Sequence, residues 1–109
     1  TIPLTSQERR EFGNPEIKEE YDWLIRYSPY DGIKAQDYPS LFVISGYNDE
    51  QVGPWEPAKW VAKLNDFKTD SNPLLLWINM HAGHSGPVGR YERYGELSAA
   101  LAFLFQQWN

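Results

Sequence analysis

Two continuous apolar runs, Leu41-Phe42-Val43-Ile44 and Leu74-Leu75-Leu76-Trp77-Ile78, stand out from a chain in which apolar and polar residues are otherwise finely mixed. Neither run alternates, and such runs suit strands covered on both faces, as in a parallel sheet. Between them, Trp60, Val61, Leu64 and Phe67 form an apolar stripe through about residue 68, with Pro54 and Pro57 where a helix begins. After them, Tyr94, Leu97, Leu101, Leu104 and Trp108 recur at alternating threes and fours, which predicts one face of a helix packed on a core. Upstream, Asn14-Pro15-Glu16 predicts a helix start: a capping residue, a proline in the first turn and an acid near the positive dipole end. Ile17, Tyr21, Leu24 and Ser28 follow at helical spacing, and Pro29 stops the run. Residues 1–13 read as polar and irregular, and Asp31-Gly32, 45–53, Asp70-Ser71-Asn72-Pro73 and the glycine-bearing 79–90 read as turns and loops.

The resulting order is helix, strand, helix, strand, helix, an α/β pattern without internal repeats. A strand–helix–strand unit of this kind makes parallel neighbours through a right-handed crossover. Two parallel strands apolar on both faces do not make a satisfactory sheet alone, because their outer edges leave backbone groups unpaired. The pattern therefore predicts part of a wider sheet, completed by upstream chain or by self-association of subunits through the exposed sheet edges.

At 109 residues the chain is one domain at most. Five Trp, seven Tyr and five Phe argue against disorder, which goes with few aromatic residues. These aromatic positions read most simply as core. The formal net charge of -5 argues against nucleic acid or an anionic membrane as the main partner. Cysteine is absent, which excludes disulfides and thiolate metal sites. No apolar run approaches the roughly 18 residues of a membrane span. Thr1-Ile2-Pro3-Leu4 carries neither a secretory leader nor an initiator Met, so the chain reads as cut or subcloned. A cytoplasmic location is expected, with the periplasm left open.

The chemistry concentrates just after the two strands. Ser45-Gly46-Tyr47-Asn48 leads the first into Asp49, and Asn79-Met80-His81-Ala82-Gly83 leads the second into His84. Ligands of open α/β sheets gather outside the carboxyl ends of the strands. An acid and then a histidine after successive strands match the second half of an α/β-hydrolase triad, in which a carboxylate orients the imidazole. Gly83 beside His84 would give the histidine loop backbone freedom. Taken singly, Asp49 also reads as part of an ordinary polar turn and His84 as a solvent-exposed loop histidine. Glu50 is an alternative acid, more simply facing solvent. His81 with His84 and a carboxylate offers a metal-ligand set, although the pair lacks the helical spacing of a zincin motif. No serine stands in Gly-x-Ser-x-Gly, and the glycines from 83 to 89 lack the spacing and the Lys-Ser/Thr of a phosphate loop. No cofactor is expected.

Several further motifs carry a family resemblance across nearly the whole chain. Phe12-Gly13-Asn14-Pro15, Tyr27-Ser28-Pro29-Tyr30-Asp31, Tyr38-Pro39, Asn48-Asp49-Glu50-Gln51-Val52, Trp55-Glu56-Pro57-Ala58-Lys59-Trp60-Val61-Ala62-Lys63-Leu64 and Ala82-Gly83-His84-Ser85-Gly86 appear in order. Together they resemble the oligopeptidase B branch of the prolyl oligopeptidase family of serine peptidases. The resemblance implies the C-terminal part of an α/β-hydrolase fold, with Asp49 as triad acid and His84 as triad histidine. It further implies that Gln51, where the prolyl oligopeptidase branch has a substrate-contacting Arg, lines the substrate cleft. Short peptides cleaved after Arg or Lys are the implied substrates. Upstream catalytic domain and a β-propeller are the implied partners within the parent chain.

Residues 1–109 are thus expected to be a C-terminal segment of a peptidase catalytic domain, incomplete without upstream chain. Lacking a nucleophile, they are expected to be inactive alone. Two other readings stay open: a non-catalytic oligomeric interaction module built on half of a hydrolase fold, and a general ester or acylpeptide hydrolase with the same triad.

Overall fold

Both apolar runs become strands, and each extends past its last large apolar residue. The computed structural model describes residues 5–108. Along them run α1 (Thr5–Glu8), α2 (Lys18–Tyr27), β1 (Leu41–Gly46), α3 (Trp55–Phe67), β2 (Leu74–Asn79) and α4 (Arg90–Gln107). β1 and β2 pair in parallel, in a register from Leu41 opposite Leu74 to Gly46 opposite Asn79. α3 is the crossover between them. Among the described residues the sheet has these two strands, so each keeps one unpaired edge.

In this register Phe42, Ile44, Leu75 and Trp77 share one face of the sheet. Phe42 meets Phe103 of α4 there, ring centroids 5.4 Å apart and planes tilted by 31°. The Ser40 hydroxyl donates to Gln107 Oε1 at 2.7 Å near the other end of that contact. Burial along β2 alternates, with Leu74, Leu76 and Ile78 more covered than Leu75 and Trp77, which places α3 against the opposite face. Leu64 of α3 is fully buried and, with Ile33, Ala82 and Phe103, makes the apolar core of the described residues.

Three expectations from the sequence need correction. The first concerns coverage of the apolar positions. Leu75 and Trp77 are 48% and 43% exposed, so the Phe42 face is covered only in part. Likewise Tyr94, Leu97, Leu101, Leu104 and Trp108 lie exposed, and α4 meets the sheet through Phe103 instead. Periodicity finds an apolar stripe on a helix but is silent on what covers it. Many of the aromatic residues read as core, Trp23, Trp55, Trp77 and Trp108 among them, are likewise at the surface.

The second correction is at α2. Asn14 Oδ1 accepts the Glu16 N–H at 3.1 Å, and the Asn14 carbonyl accepts the Ile17 N–H at 3.0 Å. Asn14 thus folds a turn of its own, and the helix starts at Lys18 after an extended Ile17. The stop is as expected, with the Ser28 N–H bonded to the Leu24 carbonyl just before Pro29. Third, the irregular N-terminal stretch contains the short helix α1. Thr1-Ile2-Pro3-Leu4, read as the start of a cut or subcloned chain, lies outside the described residues.

The amino ends of the strands are laced together by the loop before β2. Lys68 and Asp70 are nearly buried, at 11% and 8% side-chain exposure, and pair at 2.7 Å. Asp70 Oδ2 accepts the Tyr38 N–H at 2.6 Å and Oδ1 the Asn72 N–H at 2.7 Å. The Asn72 amide returns a bond to the Tyr38 carbonyl at 2.6 Å. The bond from Lys68, then that from the Tyr38 N–H, hold the Asp70 carboxyl down to about 2 from its ordinary 3.8, against the opposing effect of burial.

Two predictions follow for the intact protein. Leu64→Ala opens a cavity in the core and should cost about 2–5 kcal/mol in chemical denaturation. The depressed Asp70 carboxyl contributes stability that is complete above its unfolded value of 3.8 and is lost as pH falls toward about 2. Asp70→Asn should therefore destabilise at neutral pH, and unfolding midpoints of parent and variant should converge through that acid window.

Candidate active site

Beyond Gly46 and Asn79 the chain leaves both strands side by side at their carboxyl ends. The ladder runs one step further, with the Tyr47 N–H donating to the Asn79 carbonyl at 2.8 Å. The Asn48 N–H then donates to the Ala82 carbonyl at 3.0 Å, joining the two loops. Their approach leaves no room at Gly46: a Cβ there would sit 2.5 Å from the Ala82 carbonyl oxygen and 2.8 Å from that of Gly83. Glycine at this position is a requirement of space.

Asp49 turns back toward the strand end, its N–H donating to the Gly46 carbonyl at 3.3 Å. Its Oδ1 accepts the N–H groups of Gln51 and Val52, each at 2.8 Å, so the loop's own backbone fixes the carboxylate ahead of α3. On the other loop, Asn79 Oδ1 accepts the His81 N–H at 3.0 Å and shapes the first bend. The Gly86 N–H then donates to the Gly83 carbonyl at 3.0 Å, putting His84 in the second position of a tight turn. Gly86, which closes this turn, takes a left-handed backbone that favours glycine, φ +82°, and Gly83 does not.

The two loops bring the acid and the histidine together. His84 Nδ1 lies 3.0 Å from Asp49 Oδ2 and 3.2 Å from Oδ1. Asp49 is 10% exposed in its side chain and His84 47%. Burial pushes the Asp49 carboxyl up, but the Val52 and Gln51 N–H groups and His84 outweigh it and hold the carboxyl below its ordinary value. Asp49 is therefore ionised at neutral pH and can only accept, which requires the proton on His84 Nδ1. In the neutral form of the ring, Nε2 then carries the lone pair and can take a proton from a hydroxyl.

Glu50 is exposed and is not bonded to His84, so of the two neighbouring acids Asp49 is the partner. Gln51 contributes its backbone N–H to Asp49, and its side chain is exposed outside the cleft described next. His81 and His84 do not come together with a carboxylate as a three-ligand metal set among the described residues.

Asp49 and His84 open onto a cleft of about 960 Å³ whose walls include Pro29, Tyr30, Val52 and Trp60. α3 holds the Pro29–Tyr30 wall in place. Trp60 Nε1 donates to the Pro29 carbonyl at 3.2 Å, and Lys63 Nζ to the Tyr30 carbonyl at 2.8 Å. Lys63 also stands 4.2 Å from the Tyr30 ring centroid, a cation–π contact. This wall was not legible as chemistry: Trp60 fits a helical apolar stripe, and nothing local links it to Pro29, 31 residues away.

The family model described as the prolyl oligopeptidase family matches residues 1–109. The chain belongs to the prolyl oligopeptidase family. It is 49% identical over 107 residues to dipeptidyl aminopeptidase BI of Pseudoxanthomonas mexicana, covering 98% of this chain and 15% of that protein. It is 45% identical to protease 2 of Moraxella lacunata, over 98% of this chain and 16% of the relative. Among solved structures, oligopeptidase B from Leishmania major superposes with a TM-score of 0.93 at 44% identity, over 97% of this chain and 15% of that one. Oligopeptidase B from Trypanosoma brucei with covalently bound antipain gives 0.92 at 42% identity, over 97% and 15% respectively. The chain thus spans about 15% of the length of these relatives. The family is one of serine peptidases, and its α/β-hydrolase fold is the fold class of this chain. The resemblance to the oligopeptidase B branch is borne out.

Gly46→Ala should push the two loops apart, because the new methyl meets main-chain carbonyls and no flexible side chain can give way. The expected cost is about 1–3 kcal/mol, together with weakening of the Asp49–His84 hydrogen bond, visible as loss of the far-downfield imidazole N–H proton resonance.

Proposed function

We propose that this chain supplies the acid and the histidine of the catalytic triad of an oligopeptidase B-like serine peptidase. The observation that carries the reading is the Asp49–His84 hydrogen bond at the carboxyl ends of two parallel strands, opening onto a cleft. The nucleophilic serine belongs to upstream chain of the same catalytic domain, and the 109 residues alone are inactive. The uncovered face of α4 and the free edges of the sheet are where the rest of that domain packs.

In the complete enzyme His84 Nε2 takes the serine hydroxyl proton as the serine oxygen attacks the scissile carbonyl carbon. The resulting imidazolium is stabilised by the ionised Asp49. Collapse of the tetrahedral adduct breaks the C–N bond, and His84 returns the proton to the departing amine. A water molecule, deprotonated by the same nitrogen, then attacks the acyl-enzyme and releases the acid product and the serine. The substrates are short peptides cleaved after Arg or Lys, and a β-propeller upstream restricts access to the cleft. Gln51, exposed beside the acid and outside the cleft walls, meets substrate only at the rim of the cleft. The names of the relatives, oligopeptidase B and protease 2, support peptides as substrates, and covalently bound antipain in one of them supports a nucleophilic mechanism.

Treating the full-length protein with a fluorophosphonate probe tests this reading. Rapid covalent labelling of a serine should occur and should collapse in His84→Ala. Asp49→Asn should lower kcat on a short Arg-ending peptide amide on the order of 10⁴-fold, while Glu50→Gln leaves it unchanged. Equal labelling of parent and His84→Ala would instead favour the interaction-module reading.

A further inference from the structure

We propose that Asn48 is a positioning residue that holds the histidine loop against the acid loop, an inference that rests on the triad assignment above. Asn48 immediately precedes Asp49, yet its contacts are to the other loop. Its main-chain N–H donates to the Ala82 carbonyl at 3.0 Å. Its side-chain Nδ2 donates to the Met80 carbonyl at 3.3 Å. Its own carbonyl oxygen lies against Gly83, 3.5 Å from where a Cβ would stand. One residue thus touches three of the four positions leading into His84.

The main-chain bond is available to any residue at this position, but the bond to Met80 is not. It requires a short side chain carrying a hydrogen-bond donor, because the group to be satisfied is a carbonyl. The side chain of Asn48 is exposed, so burial does not account for an amide here. Its effect is geometric. Asn79 Oδ1 bends the loop from within by accepting the His81 N–H, and Asn48 ties the same bend to the loop that carries the acid. Released from the Asn48 amide, the Met80 end of the loop keeps its internal turn but gains freedom to pivot about the remaining main-chain bond to Ala82, shifting His84 relative to Asp49. A hydrogen bond of 3.0 Å tolerates little of that motion.

The test uses the full-length protein with Asn48→Ala, Asn48→Asp and Asn48→Gln. Asp preserves the shape but accepts instead of donating, while Gln restores a donor on a longer arm. Three readouts are needed: kcat and KM on a fluorogenic dipeptide amide ending in Arg, the downfield proton resonance of the His84–Asp49 bond, and the urea midpoint of unfolding. Ala and Asp should each lower kcat about tenfold, leave KM within about twofold and broaden the resonance, with Gln recovering part of both signals. The urea midpoint should stay close to the parent's. Parental kcat in both Ala and Asp variants would overturn the proposal. So would a loss that tracks the urea midpoint while the resonance stays sharp, since that describes a merely structural residue. His84→Ala, run alongside, separates the two readings: undiminished turnover in that variant defeats the triad assignment itself.

Discussion

The parallel register between β1 and β2 is the constraint on which the rest of this site depends. With Gly46 level with Asn79, two loops leave the sheet at the same height and next to each other. A shift of β1 by one residue would move its loop by about 3.3 Å and turn its side chains to the opposite face. Either change would separate Asp49 from His84, and the second would lift Phe42 off Phe103. The same register therefore fixes both the packing of α4 and the meeting of acid and base. It is held from below by the Asp70 cluster and from above by the Tyr47 and Asn48 main-chain bonds.

Two aspartates sit at opposite ends of this sheet and show how environment divides one chemistry into two uses. Asp70 spends its oxygens on Lys68 and two backbone N–H groups, and Lys68 is almost as enclosed as it is. Nothing in that arrangement is left to react. Asp49 also satisfies itself on two backbone N–H groups, but its remaining partner is an imidazole standing half in the open. Imidazole changes charge near neutral pH, and its second nitrogen faces away from the carboxylate. A structural acid and a candidate catalytic acid differ here only in the partner each was given.

The distribution of apolar surface fits the family membership. Four apolar residues make the core of the described residues, while Leu75, Trp77 and the Tyr94–Trp108 row of α4 stand exposed. Isolated surface hydrophobic residues are ordinary, but ordered rows on a strand and a helix are not. The relatives are several times longer, and this chain corresponds to about 15% of each. The rows are thus the natural seat of the additional catalytic-domain surface in our proposal.

Much of this was legible along the chain because strands and helices declare themselves by local pattern. The apolar runs located β1 and β2, the threes and fours located α3 and α4, and loop position singled out Asp49 and His84. The register, the 3.0 Å approach of the two side chains and the Trp60–Pro29 wall were not legible, since each depends on atoms far apart in sequence. Local pattern also misled where a signal had two uses: Asn14 bends a turn instead of capping a helix. By itself, then, the sequence determined which elements form and which residue types stand at their ends, because backbone preference and hydrophobic period act over a few residues. Only the tertiary structure decided which side chains meet and which apolar faces stay open, because those follow from how the elements are brought together in space.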